Sequence, residues 1–499
     1  MDTAHTHQSL EDFFSYFREH TVGSEATVYL PDTQKEQKLI YADWIASGRL
    51  YRPIETYLQE IVGPLIGNTH TETTYTGTAM TKAYHEARRL IKAHVNARED
   101  DLLFLVGNGM TGAINKMQRM MGLRIPEKLK PAVEREQRNR PIVFITHMEH
   151  HSNQITWEEC DVDLMIIPFV QETGLPDLNE LENMARKYAA ERPMVIGSFT
   201  AGSNVTGILT PIHEMAAIIH RYGGICFADY AAAAPYVDID MHPDEEGAHF
   251  DGLMFSPHKF LGGPGSSGVL VMSRKLYHNT IPDNPGGGTV RWTNPFGHHL
   301  YIEDIETRED GGTPGFLQGI RVALTLKVKD AMGVRRIRER EEHLMNILYD
   351  RLAEIPEIVI LEGQNRNRLG IISFFTSGVH HNLIVRLLND RYGIQSRGGC
   401  SCAGTYGHIL FHINKRSSTR IEHMITEGDF TEKPGWVRIS VHPTMTDGEA
   451  EYIARSIGEI ISSSERWKQS YRFDKQTGDF VRTEGASPVV PDLIGDFTP

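Results

Sequence analysis

The chain has 499 residues, of which 40% are hydrophobic and 23% charged, and its formal net charge is -14. This composition is typical of a globular protein large enough for two or three cores, and it excludes general binding to nucleic acids or anionic membranes, which needs clustered Lys and Arg. The sequence contains no uninterrupted run of 18 or more apolar residues, so we predict no transmembrane helix. Four cysteines are too few for a disulfide framework, and the first residues lack the features of a secretory signal, so we expect a reducing cytoplasm.

The N-terminal part of the chain predicts short elements around one exposed loop. Residues 1–38 are polar and partly helical, and we expect them to form an arm or a lid. Residues 39–44 predict a strand and residues 53–62 a helix. Residues 67–79, rich in Thr, His and Asn, predict an exposed functional loop. A helix is predicted for residues 81–95, where apolar residues recur at helical spacing.

From residue 102 onward, short apolar runs alternate with helical segments. Continuous apolar strands separated by helices are typical of βαβ units and a mostly parallel sheet. In such sheets, ligands bind beyond the carboxyl ends of the strands. The predicted strands are 102–106, 141–145, 164–168, 194–199, 224–228, 253–255 and 268–272; helices are predicted at 111–121, 178–190 and 211–221, and a polar loop after the second strand.

The second half of the chain predicts a smaller α+β unit joined to the first by one long helix, 319–355. Strand, strand, helix and strand are predicted within 357–400, with the helix at 381–392, and a polar inserted loop at 405–434. A strand at 436–441 and a helix at 446–465 with a capping signal follow. We therefore predict an N-terminal arm (1–38), a large domain (39–318), a small C-terminal domain (319–470) and an extended tail (471–499).

Lys259 is the first candidate for a catalytic residue. It follows the predicted strand 253–255 and Ser256-Pro257-His258, and it precedes a glycine-rich loop. Desolvation lowers the pKa of a lysine and makes its amine a nucleophile toward a carbonyl, and glycines let the backbone approach a ligand closely. The alternative is a solvated lysine at the end of a strand.

Polar residues follow several other predicted strands. Gly109, Met110 and Thr111 open a helix whose N–H groups and hydroxyl could hold a phosphate. A phosphate, an aldehyde for the lysine and an acid for a protonated ring nitrogen together indicate pyridoxal phosphate. The other candidates are Ser256 and His258 for the phosphate, Asp229 as the buried acid and His150 as a ring for stacking, although each alone could be a cap, a turn or an ordinary loop residue.

These residues lie in motifs that resemble the fold-type I pyridoxal phosphate enzymes of aminotransferase class V, closest to the cysteine desulfurase and selenocysteine lyase branch. The resemblance extends from about Tyr41 to Ile460. Its motifs are GNGMTGAIN at 107–115, MEHHSN at 148–153, SNVTG at 203–207, FADYAAAAP at 227–235, SPHKFLGGPGSSGVL at 256–270, GGGTV at 286–290, REDGGTP at 308–314, RGGCSCAG at 397–404 and VRIS at 437–440.

The resemblance implies a fold and a cofactor site. The fold would be a large domain with a mostly parallel seven-stranded sheet and a smaller C-terminal domain, in a homodimer with shared active sites. Lys259 would carry pyridoxal phosphate and move the substrate proton. Asp229 would pair with the ring nitrogen, His150 would stack on the ring and Asn204 would bond its hydroxyl; the Met110 N–H, Thr111, Ser256 and His258 would hold the phosphate, and Thr289 would reach the phosphate of the partner subunit.

The resemblance also implies a reaction on cysteine. Arg438, with Arg397 nearby, would bind the substrate carboxylate. Cys402 would attack the substrate sulfur, leaving a persulfide for a sulfur-acceptor protein and releasing alanine; nearby positive charge lowers a thiol pKa and so activates it. The sequence departs from the desulfurase pattern at Ala232, where glutamine is usual, at Pro257 and in the Gly-Cys-Ser-Cys loop.

Two other functions stay open at this point. One is a pyridoxal phosphate-dependent aminotransferase, epimerase or lyase that acts on another amino acid, with the two loop thiols only lining the pocket. The other is a metal or redox site, for which Cys400, Cys402 and His408 could supply ligands. A closed metal site needs a fourth ligand, which the sequence does not indicate.

Overall fold

A computed structural model describes residues 9–30, 32–69, 71–133, 136–483 and 491–498. Residues 1–8 and 31 of the predicted arm and residues 484–490 and 499 of the predicted tail lie outside the described residues. Within them, the predicted strands from residue 102 to residue 272 are confirmed to within about two residues at each end. They are β1 (Leu102–Val106), β2 (Ile142–Ile145), β3 (Asp163–Ile166), β4 (Val195–Thr200), β5 (Ile225–Asp229), β6 (Gly252–Phe255) and β7 (Gly268–Met272).

These seven strands form one sheet in the order β1-β7-β6-β5-β4-β2-β3. β7 is antiparallel to both of its neighbours, and the other adjacent pairs are parallel. The mostly parallel sheet is therefore confirmed. Five of the six parallel strands are apolar and largely buried, as expected where helices cover both faces of a sheet.

Helices flank the sheet, and two of them differ from the sequence prediction. The predicted loop 67–79 ends early, because a helix begins at Tyr75 with the Thr74 hydroxyl accepting the Gly77 N–H at 3.2 Å. The predicted polar loop after β2 is a helix too; its polar residues hid the helical period. The helices around the sheet are Tyr75–His94, Gly109–Met120, His151–Glu158, Leu178–Glu191 and Ile212–Arg221.

The predicted single helix between the two halves is wrong, because the structure has two helices, Phe316–Met332 and Val334–Ala353. They are separated by Gly333, whose φ is 76° and ψ 119°. This backbone conformation is accessible to glycine and costly for other residues. A charged helical pattern alone does not show where one glycine turns the chain.

We expect Gly333→Ala to destabilise the protein by about 1–3 kcal/mol, the usual cost of a non-glycine residue in such a conformation. An added Cβ would meet only Arg336 at 3.5 Å, so backbone strain and not a clash causes the effect. Urea unfolding measures the loss. Gly448→Ala, in the first turn of a helix where an added Cβ would lie 3.9 Å from the Thr446 Oγ1, is the control and should be neutral or slightly stabilising. Equal stability of both variants would contradict the prediction.

The second half of the chain forms an antiparallel sheet of four strands. They are β8 (Ile358–Ile360), β9 (Ile371–Thr376), β10 (Arg397–Gly399) and β11 (Trp436–Ser440), in the order β8-β9-β11-β10. The predicted closing helix is confirmed as Asp447–Trp467, with a capping box between Thr446 and Glu449. The predicted loop 405–434 contains two helices, Gly404–Leu410 and Lys415–Thr426. The helix predicted at 381–392 is present as His381–Tyr392.

The start of the chain packs on this smaller sheet. Ile40–Tyr41 pairs in parallel with Ile394–Gln395, and Asp43 forms a bridge with Ser440 of β11. The predicted strand 39–44 is thus shorter than expected, and it brings Asp43 to the sheet that carries Arg397 and Arg438.

The remaining elements lie at the two ends of the chain and in the loops. In the described residues, no helix has the length and apolar character needed to cross a membrane. The other helices are Leu10–Glu19, Arg52–Tyr57 continued by Leu58–Val62, Lys130–Val133 and Ile305–Glu309. Four strand pairs are Thr27–Leu30 with Lys35–Lys38, Phe169–Val170 with Leu175–Pro176, Val290–Thr293 with His299–Tyr301, and Tyr471–Asp474 with Asp479–Arg482. The last pair lies within the predicted extended tail.

Candidate active site

A cavity of about 220 Å³ lies at the carboxyl ends of the large sheet's strands, against the smaller sheet. Its wall contains every residue predicted for the cofactor and substrate sites except Thr289. Residues of both sheets meet there, as expected for ligand sites of α/β proteins. The predicted residues in the wall are Met110, Thr111, His150, Asn204, Asp229, Ser256, His258, Lys259, Arg397, Cys402 and Arg438.

One end of the cavity is a cluster of hydrogen-bond donors at a helix start. Gly109 has φ 58°, and a Cβ there would lie 2.9 Å from the Ser256 Oγ and 3.0 Å from the His258 Cε1, so only glycine lets the helix approach so closely. The Met110 N–H donates to the Ser256 Oγ at 2.9 Å, and the Thr111 hydroxyl lies 2.6 Å from that of Ser152. Such a helix start favours a phosphate.

His150 presents a neutral ring to the cavity. Its Nδ1 accepts the Ser152 N–H at 3.1 Å and thereby caps the helix His151–Glu158. Burial lowers the pKa of His150 to about 3, with Lys259 adding to the effect. An uncharged imidazole held by its own helix suits stacking on a flat ring.

Asp229 and Lys259 form the central acid–base pair of the cavity. Asp229 is 3% exposed and accepts the Ala231 N–H at 2.8 Å. Burial raises the pKa of Asp229 to about 6, and the N–H and Lys259 oppose the rise. Burial lowers the pKa of Lys259 to about 8, an effect that Asp229 opposes and Arg438 strengthens. The amine is therefore a better nucleophile and base at neutral pH than an ordinary lysine.

Glu149 supports this cavity from behind, although it is not among the predicted site residues. Its carboxylate accepts hydrogen bonds from the Thr146 hydroxyl at 2.7 Å, the Thr200 N–H at 2.9 Å and the Asn153 amide at 2.8 Å. Burial raises the pKa of Glu149 to about 7, and Asp229 adds to the rise. Glu149 thus joins the ends of β2 and β4 and fixes the loop that carries His150. Its position in the MEHHSN motif at 148–153 is the sequence feature that could have indicated this role.

Asp43 lies between the two arginines of the cavity and is also absent from the predicted set. One carboxylate oxygen accepts from the Arg438 Nη2 at 2.8 Å and the other from the Arg397 Nε at 3.0 Å. Arg438 also donates to the Asn204 carbonyl at 3.0 Å. Asp43 lies one residue before the end of the predicted strand 39–44, which makes it a candidate site residue but does not indicate its contact with two distant arginines.

Cys402 is held at the cavity wall by a tight turn. The Ala403 N–H donates to the Cys400 carbonyl at 2.9 Å, and the central residues Ser401 and Cys402 have φ of 49° and 57°, as in a type I′ turn. The Asn204 amide donates to the Ser401 carbonyl at 2.7 Å, and the His151 N–H to the Cys402 carbonyl at 2.8 Å.

The second thiol of the loop has different surroundings. Cys400 packs against the apolar cluster that contains Tyr406 and Trp436, whereas Cys402 is exposed and lines the cavity. The two cysteines therefore contact different parts of the protein, although one residue separates them.

Two predicted residues lie outside this arrangement. Thr289 is fully buried and donates to the Gly286 carbonyl at 2.7 Å; its role at the partner's phosphate stays a prediction. His408 is hydrogen-bonded through both ring nitrogens, to the Gly404 carbonyl and the Ser418 hydroxyl. Within the described residues, the three side chains placed to share a metal ion are His220, His249 and Asp251, so the metal site of Cys400, Cys402 and His408 gains no support.

Three buried polar atoms around the cavity have no hydrogen-bond partner among the described residues: the Asn204 Oδ1, the Ser401 Oγ and the Arg438 Nε. Buried polar groups are normally paired, so we infer that a ligand completes them. With the donors around Gly109 and the amine of Lys259, the cavity fits a cofactor that carries both a phosphate and an aldehyde.

Comparisons with known proteins agree with this fit. The model of the family "Aminotransferase class-V" matches residues 40–453. A probable cysteine desulfurase of Halalkalibacterium halodurans is 27% identical over 369 residues, 73% of this chain and 84% of that protein. A cysteine desulfurase of Escherichia coli O8 is 28% identical over 327 residues, 65% and 74% of the two chains.

Solved structures share the fold at low identity. The apo cysteine desulfurase of Thermococcus onnurineus NA1 superimposes with a TM-score of 0.71 at 21% identity, covering 90% of this chain and 98% of that one. The S-sulfonic acid form of the Escherichia coli cysteine desulfurase CsdA has a TM-score of 0.67 at 20% identity, with the same coverage. The predicted fold class is thereby confirmed, and the chain belongs to the aminotransferase class V family, whose enzymes use pyridoxal phosphate as their cofactor.

Proposed function

We propose that the protein is a cysteine desulfurase-like enzyme that converts cysteine to alanine and places the sulfur on Cys402. The observation that carries the proposal is the position of Cys402, which is an exposed thiol in the wall of the cavity that also contains Lys259 and two arginines. The names of the relatives and structural neighbours support the same reaction.

Binding and orientation of the substrate depend on the arginines. Arg438 is buried and held by Asp43 and the Asn204 carbonyl, while the half-exposed Arg397 lies beside the cavity mouth. A planar guanidinium binds a carboxylate with directional, charge-assisted bonds. The two side chains would hold the α-carboxylate of the amino acid and direct its side chain toward Cys402.

The cofactor site has a residue for each part of pyridoxal phosphate. Met110, Thr111, Ser256 and His258 would hold the phosphate, while Lys259 would bind the aldehyde carbon. The remaining contacts are to the ring: Asp229 at its nitrogen, His150 on its face and Asn204 at its hydroxyl. The bound cofactor supplies an electron-poor ring that stabilises negative charge at the substrate's α-carbon.

Lys259 would act as the proton carrier. The amine of Lys259, whose pKa burial lowers to about 8, would accept the α-proton of the substrate at neutral pH and hold it for a later step. Asp229 stays ionised beside the ring nitrogen when that nitrogen is protonated, because an opposite charge favours the carboxylate.

Cys402 would carry out the sulfur transfer. Its thiolate attacks the sulfur of the substrate, and a new S–S bond forms while the bond between that sulfur and the β-carbon breaks. The electron pair of the broken bond stays with the substrate's β-carbon, which takes up a proton. The α-carbon regains its proton from Lys259, and the product leaves as alanine. Cys402 retains the sulfur as a persulfide, so the next turnover needs a thiol or a sulfur-acceptor protein.

Product analysis tests the proposal. We expect the holoenzyme with L-cysteine and a reducing thiol to release alanine and sulfide in equal amounts. Without the thiol, mass spectrometry should find one added sulfur on the peptide that contains Cys402. Release of pyruvate and ammonia, of a keto acid through transamination, or of D-cysteine would overturn it in favour of a lyase, an aminotransferase or an epimerase.

We also propose a homodimer in a reducing cytoplasm, without nucleic-acid or membrane partners. All four cysteines are free thiols, which suits such a compartment. The buried Thr289, outside its own cavity, would complete the phosphate site of the partner subunit. A dimer by light scattering, and weaker cofactor binding in Thr289→Val, would support this assembly; a fully active monomer would contradict it.

A further inference from the structure

We propose that Asp43 is a positioning residue that limits the substrate site to one carboxylate, and so selects monocarboxylic amino acids over dicarboxylic ones. The inference rests on the proposed function for the location of the substrate, and it adds the determinant of substrate class. No role for Asp43 follows from the cofactor site itself, because its side chain does not line the cavity.

The contacts show that Asp43 organises both arginines at once. Its two carboxylate oxygens each take one guanidinium, at 2.8 Å for Arg438 and 3.0 Å for Arg397. The Asp43 side chain is 12% exposed and that of Arg438 3%, so this part of the cluster is shielded from water. The Arg438 Nε is the buried N–H that lacks a partner within the described chain, and the Arg397 side chain is 48% exposed.

The net charge of Asp43, Arg397 and Arg438 predicts the preference for a single carboxylate. Two guanidinium groups carry two positive charges, and Asp43 compensates one, so the cluster has one positive charge left for a ligand. Nearby charges act strongly where water is excluded, and a second ligand carboxylate would find no further uncompensated cation in this cluster. The cavity wall also contains the apolar or small residues Ile45, Ala46, Ala231 and Ala232, which suit a small neutral side chain.

The same charge acts on Lys259. The groups that face this amine are Asp229, Asp43, Arg438 and Arg397, together with the neutral rings of His150 and His258. Burial is the main cause of the lowered pKa of Lys259; Asp229 and Asp43 oppose it, while the two arginines add to it. Removing the Asp43 charge should therefore lower the pKa of Lys259 further.

The first test measures amino-acid binding to the holoenzyme. L-alanine and L-aspartate are titrated against wild type and Asp43→Asn, with the cofactor absorbance as readout. We expect the ratio of the two dissociation constants to move toward aspartate by about tenfold or more, as expected for one uncompensated charge at short range. The ratio cancels any general loss of affinity, and Asp43→Glu, which keeps the charge, should restore the preference for alanine.

The second test follows Lys259 without cofactor. In the apo protein, the rate of reductive methylation of Lys259, measured by mass spectrometry against pH, gives the pKa of its amine. We expect a lower pKa in Asp43→Asn than in wild type. Asp390→Asn is the matched control, because Asp390 is 2% exposed and bonds the Tyr471 hydroxyl in the small domain; it should change neither readout.

Arg397→Gln keeps the proposal testable if Asp43→Asn does not fold. Arg397 is half exposed, and its loss removes the excess charge, so we expect weaker binding of both amino acids and a higher pKa of Lys259. An unchanged binding ratio and an unchanged pKa in Asp43→Asn would overturn the proposal and leave Asp43 as a purely structural residue. Neither alanine nor aspartate gives up sulfur, so these results stand apart from the test of desulfuration.

Discussion

Replacing Cys402 with serine is expected to abolish sulfide release from L-cysteine, with a fall of roughly a thousandfold or more, as for the loss of a catalytic nucleophile. A serine hydroxyl is a weak nucleophile toward sulfur and stays protonated at neutral pH. Binding of L-alanine should change little, because the carboxylate and cofactor contacts come from other residues. Sulfide release and the absorbance change with alanine measure the two effects on the same sample.

Cys400→Ser is the matched control for this substitution. Cys400 lies two residues away in the same turn but packs against Tyr406 and Trp436 instead of lining the cavity. We expect this variant to keep most of the sulfide release and to carry persulfide on Cys402. Equal loss in both variants would indicate that the turn, and not the Cys402 thiol, is required; full activity of Cys402→Ser would exclude the persulfide mechanism.

The large sheet was predictable from the sequence because its signals are local. Buried parallel strands are continuous apolar runs, and β2 lies between polar segments that mark its ends. The polar residues after these strands meet in space because parallel strands end at one edge of the sheet. This geometry explains why the sequence led to Lys259, Asp229 and His150 as members of one site.

Asp43 could not be placed in the same way, because its role depends on a distant contact. The bond to Arg438 joins residues 395 positions apart, and it depends on the pairing of Ile40–Tyr41 with Ile394–Gln395 and of Asp43 with Ser440. Short two-residue pairings leave almost no periodic pattern in a sequence. The helix His151–Glu158 was not predicted for a related reason, because its polar residues conceal the apolar period that identifies a helix.

Lys259→Met is expected to remove activity and, at the same time, to stabilise the apo protein. Loss of the cofactor anchor and proton carrier should lower turnover by roughly a thousandfold or more. The stability change follows from the amine's environment. Burial lowers the pKa of Lys259 from 10.5 to about 8, so below pH 8 the folded protein holds a charged amine that water would solvate better.

The sign of this effect sets the pH window in which it is measurable. Between pH 8 and 10.5 the unfolded chain binds more protons at this lysine than the folded chain, so wild-type stability rises with pH there. Below pH 8 the penalty is complete and amounts to about 3 kcal/mol, from about 1.4 kcal/mol for each unit of difference in pKa. Methionine avoids the penalty, so the variant's advantage should be largest at neutral pH and vanish near pH 10.5.

Urea unfolding of the apo proteins at pH 7 and pH 10 tests this expectation, with Lys329→Met as the matched control. Lys329 is another buried lysine whose pKa burial lowers to about 8, but it lies outside the cavity and donates to the Val237 carbonyl at 2.6 Å. Its loss leaves that carbonyl unpaired, so the control should gain less stability and keep its activity. If Lys259→Met and wild type are equally stable at pH 7, the amine carries no burial penalty. A reactive group that is buried for function usually lowers the stability of a protein, and that result would show that Lys259 does not.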